Sequence, residues 1–171
     1  SRILISLRLH GRTTILCLST AIERQSLMNI RKAQPEDHHA LLAIWEQSVR
    51  ARMIFIEQDI RRLLIVVRAQ ALPCLEVWVL CDETETPIGF MGLSGNKLEA
   101  LFIAPARFRQ GAGKLMLHHA RKLKGRLLVD VNEQNPQAVA FYLANGFAVS
   151  HRSPTDAQGR PFALLHLSEP D

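Results

Sequence analysis

The stretch A-L-F-I-A-P-A-R-F-R-Q-G-A-G-K-L-M-L, Ala100 to Leu117, decides how the rest of the chain is read. An apolar strand halts at Pro105. A loop with Arg107, Arg109, Gln110 and the glycines Gly111 and Gly113 then opens directly into an apolar helix. The start of a helix leaves backbone N–H groups without acceptors and carries the positive end of the helix dipole. Residues without side chains let an anion approach that backbone, and Arg107, Arg109 and Lys114 add formal positive charge around it. The pattern predicts an anion site suited to phosphate groups. For G-A-G taken alone, a plain tight turn before a helix is the alternative.

Two common phosphate motifs do not fit. A P-loop requires glycine five residues before Gly113, where Phe108 stands, and Ser or Thr after Lys114, where Leu115 stands. The dinucleotide fingerprint requires a third glycine where the chain has Met116.

Working outward, Gly111 to Lys124 has Leu115, Leu117 and Ala120 on one side, which predicts a helix ended by Gly125. Leu127 to Val131 is a short apolar run of the kind found in a buried parallel strand. Pro136 to Asn145 predicts a further helix with Gly146 beyond it. Two closing strands, Phe147 to Ser150 and Phe162 to Leu167, flank the turn from Thr155 to Gly159. On the other side of the loop, Leu75–Leu80, Ile88–Leu93 and Lys97–Ala104 predict three strands whose short links imply antiparallel pairing. Before them lie a strand at Asn29–Ala33, an amphipathic helix over 36–52 and a second helix over 60–71. The run from Arg50 to Ile56 fits either continued helix or an apolar loop.

Composition bounds the function. Hydrophobic residues make up 47% and charged residues 22% of 171, ordinary values for one globular domain. No run is long and apolar enough for a membrane span. Cys17, Cys74 and Cys81 are odd in number and far apart, offering neither a disulfide framework nor a zinc cluster, so a cytoplasmic protein is expected. The formal charge is +5, but residues 1–27 hold four arginines against one acid, which leaves a surplus of only two for the rest. No basic stripe with interleaved aromatics marks a nucleic-acid surface. Residues 1–27 show no clear strand or helix period and are expected to be an N-terminal extension, non-native or disordered. The folded domain is expected over 28–171.

The loop resembles the pyrophosphate motif of the GNAT acyltransferase superfamily, [QR]-x-x-G-x-[GA] after a strand ending near a proline. V-N-E-Q-N-P-Q-A-V-A-F-Y-L-A-N-G-F, Val131 to Phe147, resembles that family's second signature. The two occur in the family's order and spacing, and the resemblance covers 28–171. Within the family, A-I-W-E-Q-S-V from Ala43 and the tail from Arg152 to Leu167 are similar to the small bacterial acetyltransferases of the YjaB type. Two positions depart from the pattern. Phe108 replaces the usual Gln or Arg, with Arg107 and Arg109 beside it, and Arg52-Met53 replaces the Thr-His common in YjaB-type relatives.

The resemblance implies a mixed α/β, three-layer fold. Its central sheet is mostly antiparallel with one parallel, splayed strand pair and helices on both faces. It implies an acetyl-CoA-dependent N-acetyltransferase with acetyl-CoA as co-substrate, no metal, and a small-molecule or peptide amine as acceptor. Neither nucleic acid nor membrane is an expected partner, and the protein is expected to be a monomer or homodimer. Coenzyme contacts are implied at Phe102, Ile103, Phe108, Arg109, Gln110, Gly111, Ala112, Gly113, Lys114 and Asn135, though capping alone would explain Asn135. Tyr142, the one tyrosine, matches the family's acid; a packed core aromatic is the alternative.

Glu99 is the candidate base, expected on a strand face with Leu101 and Ile103, where apolar neighbours would raise its pKa; the alternative is an edge-of-sheet surface carboxylate. Glu133 is a weaker rival. His38-His39 and His118-His119 are adjacent on helices and point to different sides, which argues against metal pairs. The rival function is an acyl-CoA-binding sensor or interaction module without turnover.

Overall fold

The computed structural model describes residues 3–9, 12–18, 28–52, 68, 72–156 and 159–171. Seven strands form the main sheet: β3 (Asn29–Lys32), β4 (Glu76–Cys81), β5 (Pro87–Ser94), β6 (Lys97–Ile103), β7 (Leu128–Asn132), β8 (Ala148–Ser153) and β9 (Leu164–Ser168). Their spatial order is β3-β4-β5-β6-β7-β9-β8. All neighbours are antiparallel except β6 and β7, which run parallel because helix α2 (Ala112–Lys124) connects them. The other helices longer than one turn among the described residues are α1 (His38–Arg52) and α3 (Pro136–Ala144).

Of residues 1–27, the structure describes 3–9 and 12–18. Strands β1 (Ile3–Leu9) and β2 (Arg12–Leu18) pair antiparallel from Ile3–Leu18 to Leu9–Arg12 and form a sheet of their own. Along β1 the apolar Ile3, Ile5, Leu7 and Leu9 alternate with Leu4, Ser6 and Arg8, a strand period that the reading of the sequence passed over. The helix expected over 60–71, like Met53 to Ile56, lies outside the described residues, Arg68 apart.

Each sheet face carries its own apolar core. Leu41, Ile44, Trp45 and Val49 recur at helical spacing on α1 and pack on Val79, Cys81 and Phe90 of the sheet. On the opposite face, Met116, Leu117 and Ala120 of α2 and Tyr142 of α3 pack on Leu80, Met91, Leu98, Val129 and Val131. Each fully buried Leu or Met contributes roughly 1.5–3 kcal/mol relative to exposure. At the C-terminal end of α2, the buried Glu169 carboxylate binds the Arg121 guanidinium and accepts from the Leu127 N–H at 3.0 Å. That tie fixes α2 against the start of β7.

One irregularity changes the expected strand faces. Gly92 pairs with Ala100 but the next residue, Leu93, pairs with Leu98, so Glu99 is the extra residue of a β-bulge on β6. The alternation resets there. Leu98, Leu101 and Ile103 pack on the α2 side, whereas Ala100 and Phe102 pack on the α1 side. Glu99 therefore does not share an apolar face with Leu101 and Ile103. It is exposed and sits 3.5 Å from Lys97 Nζ.

Candidate active site

Strands β6 and β7 pair only at Lys97–Leu128 and Leu98–Val129. Beyond those two rungs they part, and the bulge of β6 at Glu99 falls directly after the last shared rung. A cleft of about 840 Å³ opens at the parting. Its walls come from both sheet faces: Ser48, Val49 and Ala51 of α1 on one side, Ala138, Phe141 and Tyr142 of α3 on the other. The cleft thus runs through the layer of the sheet. The β7-facing edge of β6 from Ala100 to Ile103 has no ladder partner among the described residues, which leaves its backbone groups for an extended ligand.

The loop after β6 is shaped by its own sequence. Pro105 starts a single 3-10 turn, Pro105–Arg107. Arg107 Nη2 lies 3.1 Å from Asp82 Oδ2, anchoring the loop to the β4–β5 hairpin. Asp82 is buried, and hydrogen bonds from Thr84, then those from the Thr86 and Thr84 backbone and the Arg107 charge, outweigh desolvation and hold its carboxyl below the usual range. Arg107 is thus partly committed to structure, whereas Arg109 and Lys114 are exposed at the cleft.

Arg109 and Gly111 take positive φ, 63° and 78°, the turn that aims the chain into α2. Gly111 is the N-cap and supplies no side-chain cap, so the first-turn N–H groups of α2 are left to a ligand. Gly113 has a different reason to be glycine from the one expected. A Cβ there would lie 2.8 Å from Phe141 Cζ and 3.0 Å from Cε2, so its missing side chain admits the ring of α3.

Of the expected coenzyme contacts, Phe102, Ile103, Phe108, Arg109, Gly111, Ala112, Gly113, Lys114 and Asn135 line the cleft, and Gln110 does not. The Asn135 side chain caps α3, accepting from the Ala138 N–H at 3.2 Å, and also faces the cleft. Tyr142 is 7% exposed and lines the same cleft. Its ring sits edge-on to Phe141 and Phe147, at 5.1 and 5.3 Å between centroids, so it serves the core as well. Burial pushes its phenol well above the ordinary value, which keeps it protonated.

The carboxylates are placed otherwise than expected. Neither Glu99 nor Glu133 lines the cleft. Glu133 is exposed and held by Arg152. His119 meets Trp78 edge-on at 4.8 Å, while His118 faces solvent. Among the described residues no group of three His, Cys, Asp or Glu could hold a metal ion, and no helix is long and apolar enough to cross a membrane. Of the α1 residues at the cleft, Ala51 directly precedes the Arg52-Met53 departure from the YjaB-type pattern, whereas Ser48 and Val49 were not among the expected site residues.

A mostly antiparallel sheet with one forked parallel pair, and a helix start aimed at the fork, matches the arrangement that the resemblance to acyl-CoA-dependent acyltransferases implied. The profile of the "Acetyltransferase (GNAT) domain" family matches residues 73–149. The chain is 41% identical, over 84% of its length and 99% of the relative's, to the peptidyl-lysine N-acetyltransferase YjaB of Salmonella typhimurium. The solution structure of apo-form YjaB from Escherichia coli superimposes with a TM-score of 0.75 at 39% identity, covering 82% of this chain and 96% of that one. The PaiA N-acetyltransferase of Thermoplasma acidophilum in complex with coenzyme A shares the fold at a TM-score of 0.69 and 21% identity, over 84% and 99% of the two chains. This chain belongs to the GNAT acetyltransferase family. It is an acetyl-CoA-dependent N-acetyltransferase, with acetyl-CoA as co-substrate.

Proposed function

We propose that this enzyme acetylates lysine side chains of peptides or proteins, binding the acetyl-CoA pyrophosphate at the start of α2 and reacting at the β6–β7 fork. The observation that carries the reading is a cleft walled by α3 on one sheet face and α1 on the other, so two substrates can meet from opposite sides. The peptidyl-lysine activity named for the Salmonella relative supports a lysine acceptor. The compartment is the cytoplasm, where acetyl-CoA and protein lysines coexist. The protein acts as a monomer or homodimer, without nucleic acid or membrane. Residues 28–171 make the catalytic domain, and 1–27 lie outside it.

The first-turn N–H groups of Ala112, Gly113 and Lys114, with the Arg109 and Lys114 charges, receive the diphosphate; Phe108 and Gln110 belong to the same loop. The open edge at Phe102 and Ile103 pairs with the amide-bearing arm, and Asn135 flanks it. The amine nitrogen attacks the thioester carbonyl, the N–C bond forms and the C–S bond breaks; the proton that the nitrogen loses balances the charge of the departing thiolate, so amide and thiol are the products. Tyr142 faces that sulfur. A phenol held above its ordinary pKa is a weak acid, so it first supplies a hydrogen bond to the developing thiolate, which lowers the barrier in a dry site. Glu99 has no catalytic role in this scheme, because the bulge turns it to solvent.

The test is acetyl transfer from acetyl-CoA to lysine-containing peptides, read as thiol release and as lysine acetylation by mass spectrometry. Turnover on peptides is expected. Turnover on spermidine or small amines with none on peptides would overturn the acceptor assignment.

A further inference from the structure

The buried stripe of α1 holds one residue that packing does not explain. Leu41, Ile44, Trp45 and Val49 recur along it at helical spacing, and Ser48 falls in the same stripe, one turn after Ile44 and Trp45. Ser48 is only 6% exposed. A mid-helix serine commonly bonds back to the carbonyl of the preceding turn. Ser48 Oγ does not: among the described residues it makes no hydrogen bond, to Ile44 or to any other group. A hydroxyl taken out of water without a partner costs stability. For packing alone, an apolar residue would serve better at this position.

Ser48 stands in the wall of the cleft. Beside it on α1, Val49 is buried and Ala51 is exposed, so this wall runs from an open mouth at Ala51 to a closed end at Ser48 and Val49. Phe102 of β6, also at the cleft, packs on the same side of the sheet. Among the described residues, the α1 side of the cleft is therefore apolar except for one hydroxyl. The cations at the cleft, Arg107, Arg109 and Lys114, surround the start of α2 instead, and Tyr142 faces it from α3. Cations cannot hold an attacking amine, because they would repel its charged form or occupy the lone pair of its neutral form. A serine oxygen offers lone pairs to the N–H groups and leaves the nitrogen lone pair free.

We propose that Ser48 Oγ accepts a hydrogen bond from the acceptor amine and so aims the nitrogen lone pair at the thioester. This rests on the amine-acetylation reading above and names the α1 residue that holds the acceptor. The methylene chain of a lysine lies along Ala51, Val49 and Phe102, and its nitrogen meets the hydroxyl at the closed end. As the nitrogen attacks, it gains positive charge and its N–H groups become stronger donors. The bond to Oγ is therefore tighter in the transition state than in the ground state. Ser48 takes no proton in this scheme; it binds and orients.

The experiment varies the acceptor, a lysine peptide or spermidine if the peptide is not used, at saturating acetyl-CoA. Acetyl-CoA binding by titration and thermal unfolding accompany it. Two variants separate the hydrogen bond from the volume: Ser48→Ala removes the hydroxyl, and Ser48→Cys keeps the shape but offers only a weak acceptor. In both, kcat/KM for the acceptor should fall about 10- to 100-fold, the loss of one hydrogen bond to a charged group. Acetyl-CoA affinity should hold. Ser48→Ala should melt no lower than wild type, because the hydroxyl it removes has no partner in the fold. A serine kept for the fold would do the reverse, lowering the melting temperature and sparing the acceptor. Wild-type kcat/KM for the acceptor in either variant would overturn the contact while leaving the acetyltransferase reading intact, as would a loss matched by weakened acetyl-CoA binding. Wild-type inactivity on both amines would overturn the acceptor reading and the contact together.

Discussion

The ring of Phe141 fills the space that a side chain on Gly113 would need, with 2.8 Å between the ring tip and a Cβ built there. This contact joins the first turn of α2 to α3, and so joins the expected pyrophosphate cradle to the helix that carries Tyr142. Gly113→Ala should force the ring or the helix to shift, at about 1–3 kcal/mol, and weaken acetyl-CoA binding. Phe141→Leu in the same chain should recover much of the loss. Denaturant unfolding of the two single variants and the double variant gives the coupling, and additive costs would show that the contact is not what demands glycine.

Tyr142→Phe keeps the ring that packs on Phe147 and removes only the hydroxyl. Stability should change by less than about 1 kcal/mol, and acetyl-CoA affinity should hold. The rate of thiol release should fall by roughly 10²- to 10⁴-fold. Stopped-flow detection of the free thiol measures this directly, and an unchanged kcat would leave Tyr142 a core aromatic alone.

Asp37 and Arg31 tie the start of α1 to β3, with Arg31 Nη1 at 2.7 Å and Nη2 at 2.9 Å from the carboxylate. The Arg31 hydrogen bond, against desolvation, holds the Asp37 carboxyl below the usual range, helped by the Gln34 N–H. An unfolded Asp titrates near about 3.9. Because the folded value is lower, the pair's contribution is complete above about pH 4 and is lost as pH falls through the folded value. Asp37→Asn should cost about 2 kcal/mol at pH 7, discounted for the part-exposed Arg31, and should flatten the acid limb of the stability curve. Equilibrium unfolding from pH 2 to 7 checks both.

Asn135 has a capping bond and a place in the cleft wall, and the two can be separated. Asn135→Ala should cost about 1 kcal/mol of stability through the lost cap. Asn135→Asp should restore the melting temperature, because a carboxylate caps equally well, but add negative charge beside the coenzyme. A raised KM for acetyl-CoA in the aspartate variant at wild-type stability would separate the two roles; identical recovery of both quantities would reduce Asn135 to a cap.

Much of the architecture was legible along the chain. The strands and helices from β3 onward follow apolar periodicity and glycine or proline stops, and those signals are local. The helix start at Gly111 was legible for the same reason, since Pro105, the arginines and the glycines occur within a few residues. The Glu99 expectation failed because it assumed unbroken alternation. A bulge depends on how two strands align, and nothing local in L-E-A-L marks it. The β1–β2 pairing was missed although Ile5-Ser6-Leu7-Arg8-Leu9 alternates, because the arginines and the sparse acids of the segment drew the reading to its composition.

What the sequence determined on its own was the order of elements, the antiparallel meander, the crossover helix and the anion-binding loop, because each rests on residues a few positions apart. Only the tertiary structure decided that the cleft runs through the sheet, that Glu99 is the bulged residue of β6, and that Gly113 is glycine for the sake of Phe141. Gly113 and Phe141 lie 28 positions apart in the chain. Strand pairing and the close packing of side chains, not local propensity, bring them into contact.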